Sequence, residues 1–352
     1  MSAPIPLTLL TGFLGAGKTT LLNALLKQPA MADTAVLINE FGEVGLDHLL
    51  VERLDGDTVL LNAGCLCCTI RGDLLAALDG LWGRVLAGQR VARVVVETTG
   101  LADPAPILQT LIADPRLARR FVLDGVVTLV DAATGAATLE AQEEAQRQAA
   151  VADRLVLSKT DLVAPAVVAA LAARLRVLNP VAPVLHAVAG DIAAAALLDC
   201  GPYEPAGKAP DVAGWIGAAA PQGHEHGHGH HPHHAHDVNR HDSRIQALCL
   251  EYDTPLPWQG LAGWLEMLAM TRGAAVLRMK GLLDLQGESQ PVVVHGVQHL
   301  FHPPRRLPAW PPGLPRRTRL VFILRDLDPA VVRQGLEAFL KAAGDEQAIA
   351  AA

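Results

Sequence analysis

Short apolar runs alternate with polar turns and helix-length segments through about the first 190 residues. The runs are PLTLL (6–10), TAVLIN (34–39), TVLLN (58–62), RVVVE (93–97), GVVTLVD (125–131), RLVLS (154–158) and APVLHAV (182–188). Continuous apolar runs of this length fit strands buried on both faces of a parallel sheet. Helical patterns such as KTTLLNALLK and AVVAALAARLRVL lie between several of them. That alternation predicts an α/β fold, doubly wound around a mainly parallel sheet. TVLLN follows TAVLIN too soon to leave room for a crossover helix, so an irregular or antiparallel stretch is expected there.

From about residue 200 the periodicity stops. Gly, Pro and Ala dominate, and then comes GHEHGHGHHPHHAHDVNRH, which holds nine of the fourteen histidines between His224 and His241. Such a segment reads as a linker or loop. Pattern returns at RIQALCLEYD (244–253), followed by a helix around WQGLAGWLEMLA. Strands near AAVLRMKGLL, PVVVHGV and RLVFILRDL come next, and then a last helix at DPAVVRQGLEAFLKAA. Asp328 supplies its N-cap and Pro329 its first position. The expected organisation is therefore 1–199 as an α/β domain, 200–243 as the linker, and 244–343 as a small α+β domain of one sheet with two helices.

Bulk properties narrow the function classes. A chain of 352 residues, half of them apolar, suits two domains with real cores. A net charge of −7 without a basic run argues against nucleic acid or an anionic membrane as the main partner. No apolar stretch reaches the roughly 18 residues that span a bilayer. The N-terminus lacks a basic region and a cleavage site, so a cytoplasmic location with reduced thiols is expected.

GFLGAGKTT, from Gly12 to Thr20, fits G-x-x-x-x-G-K-[ST] between a predicted strand and a predicted helix. Gly12, Gly15, Ala16 and Gly17 let backbone N–H groups converge on phosphate oxygens at the positive end of the helix. Lys18 can reach the β and γ phosphates, and the hydroxyl of Thr19, next to Thr20, can bind Mg²⁺. Glu97 ends its strand and can hold Mg²⁺ through water, while the Gly100 N–H can approach the γ-phosphate. Asp131 is a weaker candidate there and suits a capping role better. Lys18, Thr19 and Glu97 are the catalytic candidates. No arginine finger or water-positioning glutamine stands out, so slow intrinsic hydrolysis is expected. SKTD places Ser158, Lys159 and Asp161 after a strand. The Asp161 carboxylate can accept two bonds from guanine, which adenine cannot offer, and the Lys159 stem can cover the base. Ser158 stands where GTPases usually have asparagine and replaces only part of an amide's bonding.

Cys65, Cys67 and Cys68 put three of the chain's five cysteines into GCLCC. Thiolates this close can share a soft or borderline metal, with zinc the default in reducing cytosol and Cu(I) or cobalt as alternatives. The spacing differs from paired C-x-x-C, which suggests an open site completed by Glu43, Glu40, a histidine or water. Buried small side chains or a redox pair are the competing readings.

TGFLGAGKTTLLN, INEFGEVGLD, GCLCC, ETTGLADP and SKTD, in that order, resemble the CobW-type GTPases. That family is related to the urease and hydrogenase nickel-insertion GTPases, and VVVHGVQHLF resembles its C-terminal module. The resemblance implies GTP- and Mg²⁺-dependent delivery of Zn²⁺, or of Co²⁺ in some members, to a client metalloprotein. It further implies that Gly12–Thr20 hold phosphate and Mg²⁺ and that Ser158–Asp161 read guanine. Cys65, Cys67 and Cys68 would carry the cargo, and 39–47, with Glu40, Glu43 and Asp47, would act as a nucleotide-responsive switch. Two other functions compete: a non-enzymatic metal store built on the histidines, and a P-loop ATPase or kinase acting on a small molecule. His186, His295, His299 and His302, taken singly, read as structural.

Overall fold

The computed structural model describes residues 4–39, 59–63, 70–201, 216 and 244–351. Seven strands form the first sheet: β1 (Ile5–Gly12), β2 (Thr34–Asn39), β3 (Val59–Ala63), β4 (Arg93–Glu97), β5 (Phe121–Asp131), β6 (Arg154–Ser158) and β7 (Val184–Ala187). Their order is β3-β2-β4-β1-β5-β6-β7, and every neighbouring pair is parallel. The irregular or antiparallel stretch expected at TVLLN is therefore corrected. β3 pairs with β2 in parallel, Ala35 opposite Val59 through Asn39 opposite Ala63. Residues 40–58 join them, more than the dozen a parallel crossover requires.

Helices cover both faces: α1 (Lys18–Leu26), α2 (Ile70–Leu86), α3 (Ala105–Ala113), α4 (Pro115–Arg120), α5 (Gly135–Ala141), α6 (Glu143–Ala150), α7 (Pro165–Leu178) and α8 (Ala194–Leu197). Side-chain alternation along the strands divides the core. Leu7 and Leu9 of β1 pack with Leu74, Leu78 and Leu108 on one face. Leu10 packs with Leu21, Leu22 and Leu25 of α1 on the other. β5 begins earlier than its apolar run because Asp124 interrupts the pattern. Asp124 is buried nonetheless: it accepts from the Thr8 hydroxyl at 3.0 Å and the Asp199 N–H at 2.9 Å, with Arg93 at 3.5 Å.

The second sheet is antiparallel, built from β8 (Ile245–Tyr252), β9 (Val276–Leu283), β10 (Val292–Val297), β11 (Leu300–Phe301), β12 (Arg305–Arg306) and β13 (Thr318–Arg325). Helices α9 (Trp258–Arg272) and α10 (Pro329–Ala351) cover one face, around Trp264, Phe322 and Leu336. Asp328 accepts from the Ala330 N–H at 2.8 Å at the start of α10, as its capping pattern predicts. The other face meets the first domain: Leu277, Val297 and Ile323 join the core of α2, α3 and α4. Every residue of β9 and β10 is consequently buried. Among the described residues, no helix is long and apolar enough to cross a membrane.

A buried ionic cluster stitches this contact. Asp153, 1% exposed, lies 3.0 Å from Arg278 Nη2 and 2.7 Å from Lys280 Nζ. It also accepts from the Val126 N–H at 2.9 Å. Burial alone would raise its pKa, but the two cations and these hydrogen bonds outweigh that and hold it at about 2. Beside it His295 and His302 stack with ring centroids 3.8 Å apart and planes 15° apart. Burial, and then the neighbouring Arg278, push His302 down to about 3, while burial, and then the adjacent His302, hold His295 well below the ordinary histidine value.

Two outcomes follow. Asp153→Ala strands two buried cations and should lower the unfolding free energy by about 3–5 kcal/mol, read by urea denaturation. The histidines stay neutral in the folded chain while the unfolded chain protonates them near pH 6.5. Their stabilisation is complete above that pH and is lost as pH falls below it, for His302 down to about 3, at no more than about 1.4 kcal/mol per pH unit each. Asp153 adds its own loss only below pH 3.8. Urea midpoints between pH 7.5 and 4.5 should therefore decline, and His302→Gln should flatten the decline.

Candidate functional site

The carboxyl ends of the parallel strands form one edge, and β1 marks the point where chain order reverses across the sheet, the usual place for a ligand in such folds. β1 ends in Gly12 at φ 141°, so close to β5 that a Cβ would stand 2.5 Å from the Leu129 carbonyl oxygen. Gly15 (φ 71°) and Gly17 (φ 91°) also hold positive φ, which glycine adopts without a Cβ clash. The chain therefore turns at Gly12–Gly17 and enters α1 at Lys18. Lys18 is buried, and its ammonium donates to the carbonyls of Gly12 at 2.9 Å and Phe13 at 3.3 Å. Thr20 is exposed in the first turn of α1.

Thr19 connects this loop to β4. Its hydroxyl donates to Glu97 Oε1 at 3.0 Å, and Glu97 is 3% exposed. The loop after β4 is fixed by several backbone and side-chain bonds. The Thr98 N–H donates to the Leu10 carbonyl, and the Thr98 hydroxyl donates to Thr11 Oγ1 at 2.8 Å. Gly100 lies against the phosphate-type loop so tightly that a Cβ would come within 2.6 Å of the Leu14 backbone nitrogen.

β6 delivers the SKTD turn to the same edge. The Ser158 hydroxyl donates to the Ala16 carbonyl at 2.7 Å, so its hydrogen ties the turn to the glycine loop. Lys159 takes a left-handed conformation at φ 54°, and its ammonium lies 2.7 Å from Asp131 Oδ2. Asp131 Oδ1 accepts from the Ala133 N–H at 2.7 Å, the capping role expected for it. Burial opposes the charge on Asp131, but the Lys159 and backbone hydrogen bonds prevail and lower its pKa. Asp161 is exposed in the short 3-10 turn Thr160–Leu162.

Gly12–Thr20, Glu97, Gly100, Ser158, Lys159 and Asp161 thus lie on strand ends, loops and a helix start at one sheet edge. Cys65, Cys67, Cys68 and Glu43, together with Glu40, Asp47 and the histidine run 224–241, lie outside the described residues. Among the described residues no group of three His, Cys, Asp or Glu side chains could hold a metal. Cys200 is buried, donates to the Leu197 carbonyl at 2.8 Å and has its thiol pushed up to about 12 by burial, which removes it as a thiolate ligand.

Two buried amides are absent from the sequence reading. The Gln148 side chain donates to the carbonyls of Gly100 at 3.1 Å and Ala102 at 3.0 Å. Asn179 Nδ2 lies 2.9–3.1 Å from the carbonyls of Ala149, Ala150 and Ala152, closing the end of α6. Gln148 stands polar in RQAAVAD, a run of small side chains. That contrast was the available signal.

Residues 6–186 match the family model for the CobW/HypB/UreG nucleotide-binding domain, and residues 245–340 match the C-terminal domain of the cobalamin synthesis protein cobW. The zinc chaperone YjiA of Escherichia coli (strain K12) is 34% identical over 299 residues, covering 85% of this chain and 87% of that protein. The zinc chaperone CobW of a Sinorhizobium species is 30% identical over 371 aligned positions, covering 96% and 97%. The crystal structure of Zn(II)-bound YjiA GTPase from E. coli aligns with a TM-score of 0.65 at 30% identity, covering 96% of this chain and 99% of that one. Since both modules match in order and the likeness runs along nearly the whole length, the chain belongs to the CobW/HypB/UreG family of P-loop GTPases.

Proposed function

We propose that this GTPase is a metallochaperone that binds a transition metal, zinc foremost and cobalt second, at Cys65, Cys67 and Cys68. It delivers that metal to a client metalloprotein under control of GTP binding and hydrolysis. The observation that carries the reading is similarity along nearly the full length to two zinc chaperones, including the second domain. The geometry at the sheet edge supports the nucleotide half. Lys18 sits at the mouth of the loop, where its charge can pass from two backbone carbonyls to the β- and γ-phosphate oxygens.

A buried carboxylate bonded to the Thr19 hydroxyl is the all-oxygen donor set that Mg²⁺ requires, so Thr19 and Glu97 would hold that ion. When bound it neutralises phosphate charge. Gly100 would meet the γ-phosphate through its N–H. Because the Ser158 hydroxyl is engaged by the Ala16 carbonyl, guanine reading falls to Asp161, with the Lys159 stem over the base and Ser158 fixing the turn. Glu43 would be an additional cargo ligand. β2 and β3 end at this same edge, and β3 stands three strand positions from β1, about 14 Å away at the usual strand spacing. The chain thus enters and leaves the cysteine segment from the nucleotide edge.

Zinc titration with and without Mg²⁺-GTP tests the reading. Mg²⁺-GTP should tighten zinc binding in the wild type by about fivefold or more, a usual coupling size, and Cys67→Ser should abolish that gain. If deleting 223–241 removes nearly all zinc binding while Cys67→Ser changes little, the protein is a histidine-based store instead. Base choice gives a second test. Asp161→Asn should lower GTP affinity about tenfold or more, the worth of hydrogen bonds to a charged acceptor, and erase preference over ATP. Equal competition by ATP in the wild type would contradict the guanine site.

A further inference from the structure

One short helix touches both the loop expected to meet the γ-phosphate and the second domain. α6 carries Gln148, which is 0% exposed and whose amide bridges the Gly100 and Ala102 carbonyls. Its backbone carbonyl accepts from the Thr128 hydroxyl of β5 at 2.8 Å. The preceding residue, Arg147, donates to Asp103 Oδ2 at 3.2 Å, and Asp103 Oδ1 caps α3 through the Ala105 N–H at 2.9 Å. Two consecutive side chains of α6 therefore grip the 98–105 loop at Gly100, Ala102 and Asp103.

The same helix is held by the second domain at both ends. Glu143 Oε2 lies 2.9 Å from Arg147 Nη2 and 2.9 Å from Arg325 Nη2 of β13, and Glu143 Oε1 pairs with Arg244. Just past its last turn, Asp153 grips Arg278 and Lys280 of β9. Asn179 fixes the end of the helix from the first domain. Ala145, Ala149 and Ala150 are its buried apolar side chains, so the helix packs closely on β5 and α7 and has little volume to absorb a shift.

We infer that Gln148 is the positioning residue for the Gly100 loop in GTP hydrolysis, and that α6 transmits the state of that loop to the C-terminal domain. This rests on the reading that Gly100 meets the γ-phosphate. GDP has no γ-phosphate, so the grip of α6 on the loop matters for GTP and not for GDP. By thermodynamic linkage, contacts that steady α6 from the second domain favour GTP over GDP, and GTP in turn strengthens those contacts. A buried glutamine that merely satisfied two carbonyls would support the fold equally for both nucleotides.

The test compares GTP-analogue and GDP affinities, kcat and KM in the full chain. Gln148→Leu removes both hydrogen bonds at similar volume. It should weaken the GTP analogue about tenfold, leave GDP within about twofold, and lower kcat more than it raises KM. Arg325→Gln, a partly exposed change in the second domain, should reduce GTP-over-GDP preference about threefold, and the two effects should be non-additive in the double variant. Equal losses for GDP and GTP in Gln148→Leu would overturn the positioning role. Unchanged preference in Arg325→Gln, or strict additivity in a well-folded double variant, would overturn the transmission. A wild type that binds the GTP analogue and GDP equally tightly would instead overturn the underlying reading that Gly100 meets the γ-phosphate, and the inference with it.

Discussion

The molecule depends most on one carboxylate. Asp153 is fully buried, yet it stays ionised because Arg278 and Lys280 and the Val126 N–H converge on it. A buried charge is tolerated only with partners of this quality. The two cations come from β9 of the second sheet and Val126 from β5 of the first, while Asp153 itself sits between α6 and β6. The contact thus fixes where β6 begins, where α6 ends, and how the antiparallel sheet lies against the nucleotide domain. Two neutral, stacked imidazoles beside it add bulk without adding another cation near neutral pH.

From that anchor the remaining geometry follows in steps. β6 carries Ser158 to the Ala16 carbonyl, which couples the SKTD turn to the glycine loop. The Gly12 backbone presses on β5, and Gly100 presses on Leu14. Neither position has room for a side chain, so the loops at this sheet edge are packed against one another. The hydrogen bond from Thr19 to Glu97 then ties the start of α1 to the end of β4. The edge is a set of mutually dependent loops, and a change in one has few ways to be absorbed locally.

Much of this was legible in the sequence. Continuous apolar runs such as RLVLS and RVVVE announce strands buried on both sides, and the spacing of Gly12, Gly17, Lys18 and Thr19 places the loop between strand and helix. Other features depend on tertiary partners that no local pattern shows. The β5 strand extends back through Asp124 because Thr8, Arg93 and Asp199 are there to receive it. β3 pairs in parallel although the stretch between 40 and 58 reads as too short for a crossover helix. Arg278 and Lys280 break the apolar reading of β9 and are buried because Asp153, far away in sequence, meets them in space. Gln148 stands out in sequence only as a polar residue before small apolar ones, and its partners, the carbonyls of Gly100 and Ala102, come from a distant loop. The sheet of the second domain needs two covers, and only the helical one is encoded nearby.

The central claim is that the nucleotide edge, α6 and the second domain move as one unit. Hydrogen–deuterium exchange, comparing the GDP-bound chain with one bound to a non-hydrolysable GTP analogue, measures this directly. The account predicts that protection changes together in 98–103, in α6 (143–150) and in β9 (276–283). Changes confined to 12–20 and 98–103, with α6 and β9 unaltered, would contradict it.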